Sequence, residues 1–153
     1  MKLSVSKINW FLLAKLPSAY ISGVRVTELN SNFCTVRIRE SWMNKNPFNS
    51  IYFAAQSMAA ELSTGALVFQ ELEKSGYSIS MLVTSCNMDF QKKAKGKILF
   101  SCLQGEEVAR AILAAVETKQ GQILRLKSRG VDSHGALVSE MVFEWSIKLK
   151  NSK

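Results

Sequence analysis

The pattern of hydrophobic and polar positions along the chain predicts one dominant helix and about six strands. From Met141 to Leu149 apolar and polar residues alternate, which is the period of a strand with one buried face. Over 50–75 apolar residues recur at steps of three and four, which predicts one long helix. An amphipathic helix is predicted over 1–17, ended by Pro17.

Shorter patterned segments predict the rest of a sheet. The predicted strands are 23–29, 33–40, 79–90, 97–103 and 122–129, and a short helix is predicted over 106–117. The long helix is rich in small residues, which let a neighbouring backbone approach closely, and a single long helix needs a curved antiparallel sheet to cover it. The sequence therefore predicts one α+β domain over 1–153, with the sheet wrapped around the central helix. Trp10 and Phe11 are expected to cap the open side of the sheet or one end of a substrate tunnel.

Composition supports a single globular domain and a basic surface. The chain has 153 residues, 47% of them hydrophobic, with no linker-like stretch and no internal repeat. The net charge of +8 favours an anionic partner, which is a nucleic acid, a lipid surface or a phosphorylated small molecule, and it is equally compatible with solvated basic faces.

The cysteines and the apolar segments limit the cellular setting. Cys34, Cys86 and Cys102 form no CxxC motif, so no zinc or redox motif is indicated. We expect them to be buried thiols in a reducing, cytoplasmic compartment. No segment approaches the ~20 apolar residues of a membrane span, and residues 1–17 lack the pattern of a signal peptide.

Glu61 is the main candidate for chemistry. It is the only charged residue between Asn46 and Gln70, in an otherwise apolar and small-residue segment. A carboxylate is costly to bury unless something pairs with it or uses it. It is therefore either a general base or nucleophile, or the partner of an arginine such as Arg37 or Arg39 across a dimer interface. Helix geometry places Ser57, Thr64 and Gly65 beside it.

From Asn46 onward the chain resembles hotdog-fold acyl-CoA thioesterases of the phenylacetyl-CoA thioesterase type. It resembles in particular a small branch that also forms the C-terminal domain of some acetyltransferases. That superfamily has Asn, Gly three residues later, then His-Gly-Gly and an acid nine residues after the His. The matching residues are Asn46, Asn49, Tyr52-Phe53-Ala54 and Glu61, and 89–96 resembles the family's strand and turn. The resemblance covers roughly 20–148 and implies a hotdog fold.

The resemblance implies hydrolysis of a fatty or aromatic acyl-CoA thioester at a dimer-interface site, with Glu61 as base or nucleophile. A backbone N–H at Phe53 or Ala54 is expected to stabilise the oxyanion, because the N–H is retained when Phe or Ala stands in place of the family's glycine. Tyr52 stands where the family has histidine and is expected to orient the substrate. No metal and no cofactor other than the coenzyme A of the substrate is implied.

Further residues are candidates for binding the substrate. They are Asn46, Tyr52, Gln56, Ser57, Thr64 and Gly65 for the acyl and pantetheine groups, and Lys92, Lys93, Lys95 and Lys97 for the coenzyme phosphates. Asn46 is equally interpreted as a turn residue, Gln56 as a buried hydrogen-bonded side chain, and the lysine segment as a solvated turn.

Two other functions remain open from the sequence. The replacement of His-Gly-Gly by Tyr52-Phe53-Ala54 is compatible with a non-catalytic acyl-CoA or lipid-binding hotdog protein, or a scaffold. Basic strands with interleaved aromatics are compatible with nucleic-acid binding, although the aromatic residues lie mainly on apolar faces and look like core. A homodimer, with a tetramer as an extension, is the expected assembly.

Overall fold

The structure, a computed structural model, describes residues 3–150, which form one antiparallel sheet and four helices. The elements are α1 (Val5–Lys15), α2 (Pro17–Ile21), β1 (Arg25–Leu29), β2 (Cys34–Arg39), a 3-10 turn (Trp42–Asn44), α3 (Phe53–Ser75), β3 (Ile79–Phe90), β4 (Lys97–Cys102), α4 (Gly105–Thr118), β5 (Gln122–Asp132) and β6 (Leu137–Leu149).

The six strands pair in the order β1-β2-β4-β5-β6-β3, and every pairing is antiparallel. The β1 edge is partly covered by α1, because the side chain of Asn9 exchanges hydrogen bonds of 2.9 and 3.0 Å with the backbone of Val26. At the other edge, β3 pairs with β6 from Ile79 to Phe90. Within residues 3–150 its outer edge has no partner strand.

The sheet wraps around α3, and small side chains make this close packing possible. Ala59, Ala60 and Ser63 are fully buried, and the Ser63 hydroxyl lies 2.7 Å from the hydroxyl of Ser128 on β5. The large core side chains come from the inner face of the sheet. They include Ile38, Phe100, Leu126, Met141 and Ile147. A long apolar helix wrapped by a curved antiparallel sheet is the hotdog fold, so the predicted fold class is confirmed.

The central helix begins three residues later than predicted. The helix predicted over 50–75 starts at Phe53, because Ile51 is held in extended backbone instead. Its N–H donates to the carbonyl of Ala94 at 2.8 Å, and it forms an isolated bridge with Lys45. These contacts engage the backbone of Ile51 in extended structure, so it is not available for a helical turn.

The N-terminal segment also differs from the prediction. The first helix, α1, ends at Lys15, close to its predicted end at Pro17, but Pro17 then opens a second short helix, α2, that was not predicted. Pro17 lies at a first-turn position of α2, where its missing N–H costs nothing. The break falls at Leu16, whose φ of −131° and ψ of 58° are not helical. Residues 1–2 of the predicted helix lie outside the described residues. Trp10 faces outward and is 68% exposed, contrary to the expected capping role, whereas Phe11 stacks on Phe69 with ring centroids 5.8 Å apart.

Two of the three cysteines are buried as predicted. Cys34 and Cys102 face each other across β2 and β4 as free thiols. Burial raises the pKa of Cys34 to about 12 and that of Cys102 to about 11. The prediction is wrong for Cys86, which is exposed on the edge strand β3. Among the described residues, no helix is long and apolar enough to cross a membrane.

Candidate functional site

An apolar cavity of about 360 Å³ lies between α1, α3 and β3. Its lining residues are Leu3, Lys7, Ile8, Phe11, Leu16, Glu61, Leu62, Gly65, Ala66, Phe69 and Met81. Glu61 and Lys7 are the two charged residues among them. The cavity therefore combines walls suited to a hydrocarbon chain with one carboxylate.

The Glu61 carboxylate is half-buried in this wall. Burial raises its pKa above the ordinary value of 4.5, and within residues 3–150 neither a hydrogen bond nor a neighbouring charge offsets this effect. Among the described residues, no arginine of the same protomer pairs with it. Val36 and Ile38 are fully buried on the α3 side of β2, so Arg37 and Arg39 lie on the opposite face of the sheet. A carboxylate with a raised pKa is a stronger base than a solvated one.

Gly65 makes room for this carboxylate. It lies one turn after Glu61 on α3, and a Cβ built on it would lie 3.2 Å from Glu61 Oε1 and 3.2 Å from Trp145 Cη2. Both distances are tighter than ordinary Cβ contacts, so a side chain at this position would displace the carboxylate, the indole or both. The predicted neighbour Gly65 therefore lies directly beside the candidate base.

Thr64 supports the backbone of Glu61 and does not contact its carboxylate. The indole Nε1–H of Trp145 donates to Thr64 Oγ1 at 3.1 Å, and the Thr64 hydroxyl donates to the Glu61 carbonyl at 2.8 Å. Both side chains are buried. The hydroxyl of Thr64 is fully used within the protein, so it fixes the helical turn that carries Glu61.

A stripe of α3 remains partly uncovered on the side of the β3 edge. Ser57 lies on it one turn before Glu61, and its hydroxyl lies 2.9 Å from the Phe53 carbonyl and 3.2 Å from the sulfur of Met88 on β3. Phe53 is 50% exposed and packs edge-on against Phe90, with centroids 6.3 Å apart. Ser57, Phe53 and Glu61 thus share one accessible helix face.

The predicted oxyanion donors lie at the other end of this face. The N-cap residue Tyr52 makes no side-chain capping bond, so the first-turn N–H groups of Phe53 and Ala54 remain available. Phe53 precedes Glu61 by eight residues, or about 12 Å along the helix. The Glu61 carboxylate also points away from Phe53, since its Oε1 approaches Gly65. One carbonyl group cannot contact both parts within one protomer.

Asn46 and Gln56 are engaged in the protein's own structure. Asn46 Oδ1 accepts from the Phe48 N–H at 3.0 Å, and its Nδ2 donates to Ser50 Oγ at 3.1 Å. Gln56 is 4% exposed; its Nε2 donates to the Ile51 carbonyl, and its Oε1 accepts from the Ser139 hydroxyl. These contacts correspond to the structural interpretations of both residues.

Two other positions of the motif lie at the start of α3. Asn49 has a φ of 58°, the left-handed region that favours glycine, and it occupies the position where the superfamily pattern has Gly. Tyr52 is 48% exposed and packs against Phe53 with centroids 4.8 Å apart. Asn49 thus has a backbone conformation that glycine readily adopts, and Tyr52 stands where the predicted motif has histidine.

The predicted phosphate-binding lysines lie in the turn between β3 and β4 and at the start of β4. Lys92 forms an ion pair with Asp132, whose pKa this hydrogen bond helps to lower to about 2. Lys93 Nζ lies 3.4 Å from the Phe48 carbonyl, and Lys95 is exposed. The turn contacts the segment that enters α3, so these lysines lie near the Phe53 end of the helix.

Lys97 lines a separate open groove of about 600 Å³. It shares this groove with Arg39, Lys45 and Trp42, and Trp42 is 87% exposed. Glu40 also lines the groove and lies 3.8 Å from Lys45. Lys97 therefore lies in a different basic environment from Lys92. Among the described residues no cluster of three His, Cys, Asp or Glu side chains is close enough to hold a metal ion.

Phe11, expected from the sequence to cap the sheet or one end of a substrate tunnel, lines the cavity, whereas other lining residues of α1, α3 and β3 were not predicted. Lys7, Phe69 and Met81 line it, although none of them was a candidate site residue. The amphipathic pattern that predicts a helix over 1–17 carried part of this information. The position of that helix over α3 is a tertiary feature that spacing alone does not show.

Solved structures of similar fold include proteins described as thioesterases. A protein of unknown function from Pseudomonas aeruginosa, described as a probable thioesterase, has a TM-score of 0.82 and 22% identity, covering 98% of this chain and 99% of that chain. A protein of unknown function from Chlorobaculum tepidum has a TM-score of 0.81 and 16% identity, with 98% and 99% covered. A thioesterase from Haemophilus influenzae has a TM-score of 0.74 and 10% identity, with 97% and 93% covered. At these identities the likeness shows the hotdog fold.

The family comparison covers nearly the whole chain. Residues 6–147 match the model of a domain of unknown function, DUF4442. A comparison with curated proteins finds no match. The matched range includes α3, β3 and most of α1, which together form the cavity.

Proposed function

Because this chain belongs to the DUF4442 family, a domain of unknown function, we propose its activity from its own geometry: hydrolysis of a fatty or aromatic acyl-CoA thioester. The observation that carries the proposal is the half-buried Glu61 carboxylate, which lines an apolar cavity of about 360 Å³ and lacks an ionic partner within residues 3–150. Structures of similar fold that are described as thioesterases support the same reaction class.

The proposed reaction uses Glu61 to activate water. The carboxylate accepts a proton from a water molecule, whose oxygen attacks the thioester carbonyl carbon. Backbone N–H groups at Phe53 and Ala54 stabilise the resulting oxyanion. The C–S bond then breaks, and the departing thiolate takes the proton, which gives a carboxylic acid and coenzyme A. In the alternative route, the Glu61 carboxylate attacks the thioester carbonyl carbon, the C–S bond breaks with departure of the coenzyme A thiolate, and water then hydrolyses the resulting mixed anhydride. If water attacks the Glu61 carbonyl carbon of that anhydride, a single turnover in ¹⁸O-water leaves the label in Glu61, which the first route cannot do.

We propose that the active assembly is a homodimer, because one protomer does not bring the two halves of the site together. Glu61 and Phe53 are separated by about 12 Å along α3. Two copies of α3 lying antiparallel along their uncovered stripes would bring Phe53 of the partner subunit toward Glu61. The outer edge of β3, which has no partner strand in the described part of the chain, supports a dimer with a continuous sheet. A tetramer would require a further contact between such dimers.

We propose that the coenzyme phosphates bind beside the lysine turn. Lys93 and Lys95 lie near the start of α3, where the oxyanion donors are, and both carry a point charge suited to phosphate. Lys92 contributes less, because Asp132 already neutralises it.

The free thiols of Cys34 and Cys102 support a reducing, cytoplasmic setting.

Nucleic-acid binding has less support. The cations of β5 are paired with acids of β6: Arg125 with Glu144 at 2.9 Å, and Lys127 with Glu140 at 2.9 Å. Phe100, Phe143 and Trp145 of the sheet are buried, so they are not available to stack on bases. Phe90 on β3 is 46% exposed, but it packs edge-on against Phe53.

The test is release of free coenzyme A thiol from a panel of acyl-CoA esters that differ in chain length and in aromatic character. Faster turnover of one acyl class than of the others supports the proposal and identifies the class of substrate. Saturable binding of acyl-CoA without turnover supports the non-catalytic acyl-binding alternative. The absence of both rejects the acyl-CoA assignment.

A further inference from the structure

Helix α1 carries apolar side chains on two opposite faces. Ile8 and Leu12 point into the protein and are 3% and 0% exposed, whereas Trp10 and Leu13 point outward and are 68% and 41% exposed. A surface helix of a globular protein ordinarily has a polar outer face. The outward tryptophan and leucine therefore indicate that a second surface covers this side of α1.

The outward residues form a continuous patch with an arginine. Trp10, Leu13, Tyr20 and Arg25 line one open groove of about 380 Å³ on the outside of α1 and α2. The guanidinium carbon of Arg25 lies 3.4 Å from the centre of the Tyr20 ring. These four residues, called the Trp10 face below, place aromatic, aliphatic and cationic groups on the same surface.

The charge of the surrounding segment has one sign. Residues 1–27 contain no Asp or Glu and four basic residues, Lys2, Lys7, Lys15 and Arg25, which is half of the net charge of +8. Such a segment attracts an anionic surface. A second copy of this chain would bring the same cations together at a two-fold contact, where they would repel.

We propose that the Trp10 face docks on an anionic lipid surface. A helix with Trp and Leu on one side and flanking Lys or Arg lies in the headgroup region, where its apolar side chains are buried and its cations meet anionic lipids. Phe11 on the same helix lines the acyl cavity, so docking brings that cavity next to the lipid. The binding does not depend on thioester hydrolysis.

The test is flotation of the full chain with vesicles. One set contains phosphatidylcholine with about 30% phosphatidylglycerol, and the other contains phosphatidylcholine alone. The protein is expected to float with the anionic vesicles, at least about tenfold more than with the neutral ones, and about 1 M salt should abolish the difference. In a Trp42→Phe background, which leaves Trp10 as the exposed tryptophan, anionic vesicles should shift the emission to the blue.

Two matched double variants distinguish the contribution of the Trp10 face to lipid binding from the effect of added negative charge. The double variant Trp10→Glu/Leu13→Glu should lose at least about tenfold of the partition. The double variant Leu113→Glu/Ile123→Glu changes the charge equally at two other exposed apolar positions, 56% and 61% exposed, and should retain it. Circular dichroism verifies the fold of both.

Three results would overturn the proposal. The first is equal binding to neutral and anionic vesicles, or no binding to either. The second is an equal loss of partition in the two double variants. The third is a fall in molecular mass in lipid-free solution when Trp10 and Leu13 are changed, because the face would then be an interface between copies. None of these readouts requires turnover of a thioester.

Discussion

The indole N–H of Trp145 on β6 donates a hydrogen bond of 3.1 Å to the hydroxyl of Thr64 on α3. The same hydroxyl donates at 2.8 Å to the carbonyl of Glu61. Sheet and central helix are thus joined by a buried polar contact directly under the candidate base. Because both side chains are buried, neither partner can be replaced by water without a local rearrangement.

Removing both partners of this contact should destabilise the protein by less than the sum of the two single removals. Thr64→Val keeps the side-chain shape but leaves the Trp145 N–H unsatisfied, which costs about 1–3 kcal/mol. Trp145→Phe removes the donor and leaves a small cavity. We expect the double variant to be less destabilised than the sum of the single variants, by about 0.5–3 kcal/mol in urea unfolding. Additive values would show that the hydrogen bond contributes nothing.

The ionised Glu61 carboxylate should lower stability at neutral pH. Burial raises its folded pKa above the ordinary 4.5, so the free energy of unfolding falls as pH rises between the unfolded and the folded pKa. Glu61→Gln should therefore be more stable than the wild type at pH 7, by about 0.5–2 kcal/mol. Well below pH 4.5 the carboxyl is protonated in both states, and the difference should vanish.

Thermal unfolding of both proteins across this pH range is the measurement. A Glu61→Gln variant that is less stable than the wild type at pH 7 would contradict the account. Such a loss would mean that the carboxylate has a favourable ionic partner.

Filling the space beside Gly65 with a methyl group, in Gly65→Ala, should change activity more than stability. A helix-interior Gly→Ala change ordinarily adds about 1 kcal/mol of stability. Here the new Cβ would lie 3.2 Å from Glu61 Oε1 and 3.2 Å from Trp145 Cη2, so we expect that gain to be cancelled. We also expect activity to fall at least about tenfold through displacement of the carboxylate.

Gly121→Ala is the control for this prediction. Its Cβ would meet the Ile147 carbonyl oxygen at an ordinary 3.7 Å, so stability and activity should stay near the wild-type values. A Gly65→Ala variant with full activity would show that the position of the Glu61 carboxylate is not critical.

The backbone N–H at the start of α3 is testable by proline. Phe53 is the first residue of α3, a position that accepts proline without loss of a helical hydrogen bond. Phe53→Pro removes both the ring and the N–H, whereas Phe53→Ala removes only the ring. We expect kcat of the proline variant to lie about 10²–10³ below that of the alanine variant.

Equal kcat values for the two variants would exclude the Phe53 N–H as the oxyanion donor. Ala54→Pro then tests the neighbouring amide, although it also disfavours the helical conformation of Phe53. Comparable helix content by circular dichroism is the control for all three variants.

The overall fold was predictable because its determinants are local and periodic. The alternation of β6 and the small residues of α3 sufficed to predict a sheet wrapped around one helix. The start of α3 was not predictable from such patterns, because Ile51 is held by a hydrogen bond to Ala94, 43 residues away in sequence. The outward position of Trp10 depends equally on which face of α1 the sheet covers.

The candidate site was predictable in its residue types and less so in its geometry. Glu61 stands out in the sequence because it is an isolated charge in an apolar helix. The wall built by Phe11, Phe69 and Met81 depends on the packing of α1 over α3 and β3. The hydrogen-bond partners of Gln56 likewise come from distant segments, and no spacing rule identifies them.

The central claim is that the Glu61 carboxylate drives thioester hydrolysis, and its most direct test is the kcat of Glu61→Gln with the best acyl-CoA of the panel. The matched control is Glu71→Gln, which removes a carboxylate from the same helix where it pairs with Lys74 at 2.9 Å. We predict that Glu61→Gln loses at least about 100-fold in kcat while Glu71→Gln retains it. A loss of less than about tenfold in Glu61→Gln, in a preparation whose wild type is active, would contradict the account.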